Sequence, residues 1–167
     1  VSENLLEHHK KIYAEASKKG HGHSIPDIDG VIRRVPLFIK HQNTKIPHLA
    51  ISGMSQYLNQ NIEKGLNIPV DENGLHLINW AGKWEKSFKK YSFVDILQSH
   101  ELLKQGKKPP LPLNKIIKNK ICLIGLTALG LMDVKSIPLE RYYPMLGVHA
   151  NLINSILNNN YISEASS

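Results

Sequence analysis

The 167-residue sequence contains a single cysteine and only three arginines, and each shortage limits the classes of protein to which it can belong. Because a disulfide needs two thiols, Cys122 cannot form one within the chain, which excludes a disulfide-stapled secreted module. Cys122 lies in the apolar run at residues 121–124, so we expect it to be a small core residue. The formal charge of +7 comes mainly from lysine, whereas nucleic-acid readers usually rely on arginine. This composition indicates a solvated basic surface.

Long hydrophobic runs are also absent. The longest apolar stretch spans residues 121–132 and is interrupted by Gly125 and Gly130. A transmembrane helix needs about 20 consecutive apolar residues, so nothing in the sequence is predicted to cross a membrane. Hydrophobic residues still make up 41% of the chain, enough for the core of one ordinary domain. We therefore expect residues 1–167 to form a single domain.

Hydrophobic periodicity predicts helices and short strands in alternation. Helical spacing of apolar residues predicts four helices, over residues 3–19, 47–61, 92–104 and 147–159. Residues 31–39 are predicted to be a strand, and residues 121–124 a central parallel strand that is apolar on both faces. Asn73-Gly74 predicts a hairpin between residues 68–72 and 75–80. The elements indicate an α/β fold: a layered sheet with helices on its faces, a parallel central strand and an attached antiparallel hairpin.

Residues 125–138 are predicted to be a loop that follows the central strand. The spacing of Gly125 and Gly130 resembles the start of a phosphate-binding loop, but such a loop continues with lysine and then serine or threonine. Leu131 and Met132 stand there instead, so the nucleotide interpretation fails. The glycines suit a strand-to-helix turn, while ligands of open α/β sheets also bind at this end of a strand. Both interpretations stay open.

Histidines are frequent near the start of the sequence. His21 and His23 have the period-two spacing that places both rings on one face of a strand, as in some zinc sites. Zinc needs three or four ligands, and the remaining candidates, His8, His9, His41 and His48, show no motif spacing. We favour ordinary loop histidines and expect no metal.

Four charged residues lie close together in the next segment. Asp27, Asp29, Arg33 and Arg34 could form an anion site on a hairpin. The simpler interpretation is a turn aspartate followed by a strand in which Arg33 and Arg34 point to opposite faces. In that case one arginine faces solvent, and the other is available to an aspartate.

His149 is predicted to lie in the first turn of the final helix, with Asn151 nearby. A histidine there can cap the helix, titrate or touch a ligand, and a partly buried structural role is the simpler interpretation. No nucleophile elbow and no carboxylate pair at helical spacing is visible. Two alternatives remain: a small α/β enzyme with Asp133 at a strand end, and a basic module that binds nucleic acid or acidic surfaces through residues 83–90 or 104–120.

Four blocks, in order along the chain, resemble the CHASE domain of type two, a sensory domain associated with cyclases and histidine kinases. Residues 25–37 (IPDIDGVIRRVPL) resemble its D-x-D-G-V-x-R-x-x-P-L segment, and residues 77–82 (LINWAG) its apolar-x-N-aromatic-x-G strand. Residues 91–97 (YSFVDIL) match its Y-S-F-x-D-(I/V)-L helix start. The longest block, within residues 119–153, is similar to its I-G-x-T-A-x-G-x-x-D and H-A-N-x-I motifs.

The resemblance implies an extracytoplasmic sensory input domain without catalysis. Its bacterial parent protein would lie in the membrane and carry a cytoplasmic cyclase, histidine kinase or serine/threonine kinase domain. The partners implied are a small-molecule or environmental signal of unknown identity and that covalently linked effector, with no cofactor and no nucleic acid. The family's N-terminal strand is not found, so the chain corresponds to the C-terminal part of such a domain. A truncated sheet would expose an edge that can pair with a second copy.

The motif matches and the strand-end rule together predict a ligand pocket at residues 125–133. Thr127 and Asp133 would supply hydrogen-bonding groups, and His149 and Asn151 would face them from the final helix. Arg33 would add positive charge. A signal that binds one of two conformations better would shift their populations and so bias the effector.

Overall fold

The computed structural model describes residues 18–61, 67–127 and 133–163. The helix predicted over residues 3–19 lies almost entirely outside these ranges. The described chain has mixed α/β structure, which confirms the predicted class. Its elements are β1 (Arg34–Pro36), β2 (Phe38–His41), β3 (Thr44–Pro47), α1 (Leu49–Leu58), β4 (Leu75–Leu77), α2 (Trp84–Ser87), α3 (Phe93–Lys104), α4 (Leu113–Ile116), β5 (Val134–Ile137), β6 (Glu140–Pro144) and α5 (Met145–Asn158).

The described strands form three small antiparallel sheets of two strands each: β1 with β4, β2 with β3, and β5 with β6. In the first sheet Val35 lies opposite His76, and both side chains are buried, so this register turns one face to the core. A parallel bridge between Val31 and Ser136 connects the chain before β1 to β5. This short backbone contact links the segment before the first sheet to the third sheet.

Residues 121–124 do not form the predicted central parallel strand. They belong to no ladder in the part of the chain that the structure describes. Ile121 and Leu123 pack against the core, whereas Cys122 and Ile124 are exposed. Side chains alternate between core and solvent, as in any extended segment with one buried face. The expectation that Cys122 is a core residue is wrong for the same reason.

The Asn73-Gly74 turn forms, but its strands pair differently from the prediction. Gly74 N donates to Asp71 O at 3.0 Å, and Gly74 has a φ of +75°, which glycine adopts readily. β4 then pairs with β1 instead of with residues 68–72. The local turn was predictable from two residues, whereas the partner of the strand depends on long-range packing.

The predicted loop at residues 125–138 contains β5. This strand forms a hairpin with β6 that includes a register shift between Lys135 and Ile137. The shift interrupts the strict alternation of apolar and polar residues that marks a strand in a sequence. For this reason the sequence pattern does not predict the hairpin.

Helices α1 and α5 lie within three residues of their predicted limits, and they pack against each other. Both end at an asparagine in the left-handed conformation, Asn59 and Asn159, a residue type that tolerates it. The core that they enclose is closed by residues from β1, β4 and their flanks. Its most deeply buried members are Ile32, Val35, Ala50, Ile51, Met54, Ile78, Val148 and Leu152.

Helix α3 lies at the periphery. It starts after Ser92 as predicted, although the Ser92 side chain makes no capping hydrogen bond. Ser99 is its only buried residue, and Phe93, Val94 and Leu97 are exposed. Among the described residues, no helix has both the length and the apolar character needed to cross a membrane.

Candidate functional site

Three histidine side chains from distant parts of the sequence meet at the start of α1. The rings of His21 and His48 are edge-to-face with 5.1 Å between centroids, and those of His48 and His149 lie 4.9 Å apart. We call these three residues the histidine cluster. His149 is the fifth residue of α5 because this helix begins at Met145, so the prediction that it lies in the first turn is wrong.

Backbone contacts hold His21 in place. His21 N donates to Pro47 O at 2.9 Å, and Leu49 N donates to His21 O at 2.8 Å. The chain before His21 also approaches α1 closely, since a Cβ atom added to Gly20 would lie 2.6 Å from Leu49 Cα. Only glycine fits this position without a shift of the backbone.

Hydrogen bonds from the backbone define the tautomer of two cluster members. Nδ1 of His48 accepts from Ala50 N at 3.2 Å and so caps α1, and Nδ1 of His21 accepts from His23 N at 3.2 Å. A neutral imidazole that accepts at Nδ1 carries its proton on Nε2. In the described structure, Nε2 of His21, Nε2 of His48 and Nδ1 of His149 are buried without a hydrogen-bond partner.

Burial keeps the cluster uncharged at neutral pH. Desolvation lowers the pKa of His48 to about 3 and that of His21 to about 4, and it also lowers the pKa of His149. Mutual repulsion adds to desolvation: His149 and His21 act on His48, and His23 and His149 act on His21. Three neutral rings can pack closely where three imidazolium ions would repel.

The cluster is not arranged as a metal site. No group of three or more potential ligands with suitable geometry occurs within residues 18–61, 67–127 and 133–163. A metal ion bound to Nε2 would also require the proton on Nδ1. That proton would break the hydrogen bonds that His48 and His21 accept there.

Arg33, the first of the predicted ligand residues, forms ion pairs with two aspartates of the turn before β1. Its Nη1 lies 2.7 Å from Asp27 Oδ2, and its Nη2 lies 2.8 Å from Asp29 Oδ2. The hydrogen bond from Arg33 lowers the pKa of the Asp29 carboxyl to about 2. Arg34 also reaches Asp27, at 3.4 Å, so both arginines pair with an aspartate, whereas the sequence interpretation left one of them facing solvent.

Asn151 is completely buried and is held by the fold. Its Nδ2 donates to Tyr143 Oη at 2.8 Å and to Gly147 O at 2.7 Å, and its Oδ1 accepts from Ala81 N at 2.8 Å. The amide therefore connects α5 to β6 and to the chain after β4. These contacts describe a structural residue.

Thr127 and Asp133 flank residues 128–132, which lie outside the described ranges. Both side chains are exposed, and the Asp133 carboxylate lies 3.7 Å from Lys135 Nζ. The backbone oxygen of Asp133 accepts from Met145 N at 2.8 Å, which places Asp133 at the start of α5. The five predicted residues nevertheless contact separate sets of neighbours, and His149 alone belongs to the histidine cluster.

A cavity of about 430 Å³ lies beside α1, and it is lined mainly by polar residues. None of the five predicted ligand residues lines it. Its walls include Lys18, Lys19, Pro47, Ser52, Gln56 and Asn59.

Sequence reasoning named His21, His48 and His149 but did not bring them together. The available signal was the position of His48 in the first turn of the helix predicted over residues 47–61. N-cap positions favour side chains that accept a hydrogen bond, and histidine can do so through Nδ1. The contact with His149 depends on the packing of α1 against α5, which no local pattern encodes.

The described chain is thus a small α/β domain with buried polar groups that pack against one another. In a comparison with family models, the CHASE2 domain matches residues 2–167. Because this match covers almost the whole sequence, the chain belongs to the CHASE2 domain family, and the resemblance noted in the sequence is confirmed. CHASE2 domains are extracellular sensory domains of signalling proteins. Comparisons with curated proteins and with solved structures give no match.

Proposed function

We propose that the chain is the sensory input domain of a membrane-anchored bacterial signalling protein. The observation that carries the proposal is the CHASE2 match over residues 2–167. In this proposal a receptor-type cyclase, a histidine kinase or a serine/threonine kinase lies on the cytoplasmic side. A signal would bind one of two conformations of the domain more tightly, and the shift in population would change the effector's activity.

The structure supports a role for α5 in the relay. Its first residue, Met145, is hydrogen-bonded to Asp133, and Val148 and Leu152 lie in the core. A change at Asp133 would therefore act directly on a helix that packs against α1 and β6. Because close-packed cores do not deform continuously, such a change favours a switch between two arrangements.

Thr127 and Asp133 are the predicted ligand residues that best suit direct contact with a signal. Both side chains are exposed, whereas the polar atoms of Arg33 and Asn151 are engaged by other residues of the domain. A second copy of the chain is a further candidate partner, since the short sheets leave strand edges that can pair.

Labelling of Cys122 in the parent protein tests the location. This thiol is exposed, so a membrane-impermeant maleimide should label it on intact spheroplasts. The Cys122→Ser variant is the matched control and should lose this labelled site. Labelling of Cys122 only after the membrane is permeabilised would contradict the proposal.

The reading frame around this segment tests the rest of the proposal. Sequencing about 150 codons on each side, the length of an ordinary domain, should reveal apolar 20-residue segments and an effector domain. A chain that starts just before Val1 and stops just after Ser167 would exclude transmembrane signalling. In the parent, Thr127→Ala and Asp133→Ala should weaken the effector's response, and an unchanged response would exclude this pocket.

A further inference from the structure

We propose that the histidine cluster is an acid-sensitive latch that holds residues 18–25 against the start of α1. We call residues 18–25 the latch segment. The inference comes from the geometry of three neighbouring rings, one pair edge-to-face and one pair tilted, on three separate parts of the chain. It also comes from the roles of two ring nitrogens as acceptors of backbone hydrogen bonds. The latch itself does not depend on the proposed sensory function.

A small set of hydrogen bonds fastens the latch segment. Two join the backbone of His21 to Pro47 and Leu49, and a third runs from Ser52 Oγ to Lys19 O at 2.5 Å. All three hydrogen bonds connect the latch segment either to α1 or to Pro47, just before α1. Together with the contacts between the histidine rings, these hydrogen bonds hold the latch segment against the start of α1.

Protonation disrupts these contacts through a defined atom. Nε2 already carries the proton in neutral His21 and His48, so an added proton must bind Nδ1. An Nδ1–H group cannot accept a hydrogen bond. Protonated His48 would therefore release Ala50 N at the start of α1, and protonated His21 would release His23 N.

The part of the chain that the structure describes offers the resulting charges little compensation. The titratable groups that act on the cluster are His21 and His23 from the latch segment, His48 from the cap of α1, and His149 from α5. Lys18 and Lys19 add positive charge to the same segment. Among the described residues, the ion pairs include none of the three rings.

The direction of the pH effect follows from burial. The closed latch keeps the pKa of His21 and His48 well below 6.5, the ordinary value for histidine, whereas release returns the rings to water. The open state therefore binds more protons, and it gains population as pH falls below 6.5. Each histidine that gains a proton on opening contributes up to about tenfold per pH unit, or about a hundredfold for two.

Hydrogen exchange on the 167-residue chain tests the latch directly. The amides of His21 and Leu49 report its backbone bonds, and the amide of Leu152 in α5 serves as an internal reference. After correction for intrinsic rates, the two latch amides should be less protected than the reference at both pH values, and their protection should fall at least tenfold between pH 7.5 and pH 5.0. Latch amides that are as well protected as the reference, or whose protection does not change with pH, would overturn the proposal.

Two variants separate the latch from general acid sensitivity. His48→Asn keeps an acceptor for Ala50 N but cannot titrate, so its latch amides should lose at least threefold less protection at pH 5.0. Gly20→Ala places a methyl group against Leu49 and should open the latch at both pH values. His41→Gln, at an exposed histidine in β2, should behave like the wild type. A loss in His48→Asn equal to that of the wild type would refute the role of the ring.

A folding defect in one variant does not remove the test. If the reference amide of His48→Asn is also unprotected at pH 7.5, His149→Gln provides the same comparison from the other side of the cluster. As a consequence that rests on the proposed function, the proton would be a signal of the parent protein. Acid opening of the latch with no change in effector output would contradict that consequence and leave the latch in place.

Discussion

The side-chain amide of Asn151 in α5 donates a hydrogen bond to the hydroxyl of Tyr143 at the end of β6, at 2.8 Å, and both residues are completely buried. The Tyr143 ring also packs edge-to-face against Trp80 and Trp84, with centroid distances of 5.4 and 5.9 Å. One tyrosine therefore joins the last helix, the last hairpin and the chain after β4. A buried polar contact of this kind selects a single arrangement of the elements around it.

Removal of the Asn151 amide should weaken the fold. In Asn151→Ala the buried Tyr143 hydroxyl and the partly buried Ala81 N–H lose their partners. An unsatisfied buried group costs about 1–3 kcal/mol, and a partly buried one costs less. We expect a loss of about 2–4 kcal/mol in the free energy of unfolding, measured by urea titration. Asn158→Ala, at an exposed position near the end of the same helix, should cost less than about 0.5 kcal/mol. Equal losses in the two variants would show that the buried amide of Asn151 contributes no more to the free energy of unfolding than an exposed one.

Two glycines in helices should respond to alanine in opposite ways. A Cβ atom at Gly147 would overlap the ring of Tyr143, whereas a Cβ atom at Gly53 in α1 has no neighbour within 4 Å. Gly147→Ala should therefore destabilise the domain by about 1–3 kcal/mol, the usual cost of overpacking. Gly53→Ala should stabilise it by up to about 1 kcal/mol, because alanine favours a helix. Thermal unfolding of both variants measures the difference, and a stable Gly147→Ala would contradict the described packing.

Local signals in the sequence predicted the three longer helices of the described chain, whereas the short helices α2 and α4 were not predicted. Apolar spacing located α1 and α5, and the Asn73-Gly74 pair located a turn, because each of these features is encoded by neighbouring residues. The prediction for residues 121–124 was wrong because a short apolar run does not reveal which partners a strand has. Cys122 shows the result, since it lies on the exposed face of an extended segment.

The candidate site was less predictable than the fold. The family motifs singled out Asn151, but only the packed structure shows that its amide is hydrogen-bonded to Tyr143, Gly147 and Ala81. The histidine cluster joins residues far apart in sequence, so no spacing rule can find it. Whether Thr127 and Asp133 bind a signal stays a prediction.

The Asp29 carboxyl should report the charge of Arg33. The hydrogen bonds from Arg33 hold the pKa of Asp29 at about 2, below its ordinary value of 3.8. In Arg33→Gln the pKa should rise toward 3.8, which a ¹³Cγ NMR titration of the carboxyl measures. The matched control is Arg141→Gln, because Arg141 lies over the ring of Tyr142 in β6 and should leave Asp29 unchanged. An unshifted Asp29 in Arg33→Gln would mean that the turn is held by its backbone alone.

Global stability should fall in acid partly through His48. Its pKa is about 3 in the folded domain and 6.5 when unfolded, so the unfolded chain binds more protons between these values. The neutral ring's contribution to stability is therefore complete above pH 6.5 and is lost as the pH falls toward 3. The slope from this residue is about 1 kcal/mol per pH unit, to which the buried His76 and the partly buried His21 and His149 add. Urea titrations at pH 7.5, 6.0 and 5.0 give the slope of the free energy of unfolding against pH. In His48→Asn this slope should be smaller by about 1 kcal/mol per pH unit. The control His100→Gln, at an exposed position in α3, should retain the wild-type slope. An unchanged slope in His48→Asn would mean that His48 can be protonated without leaving its place between His21 and His149.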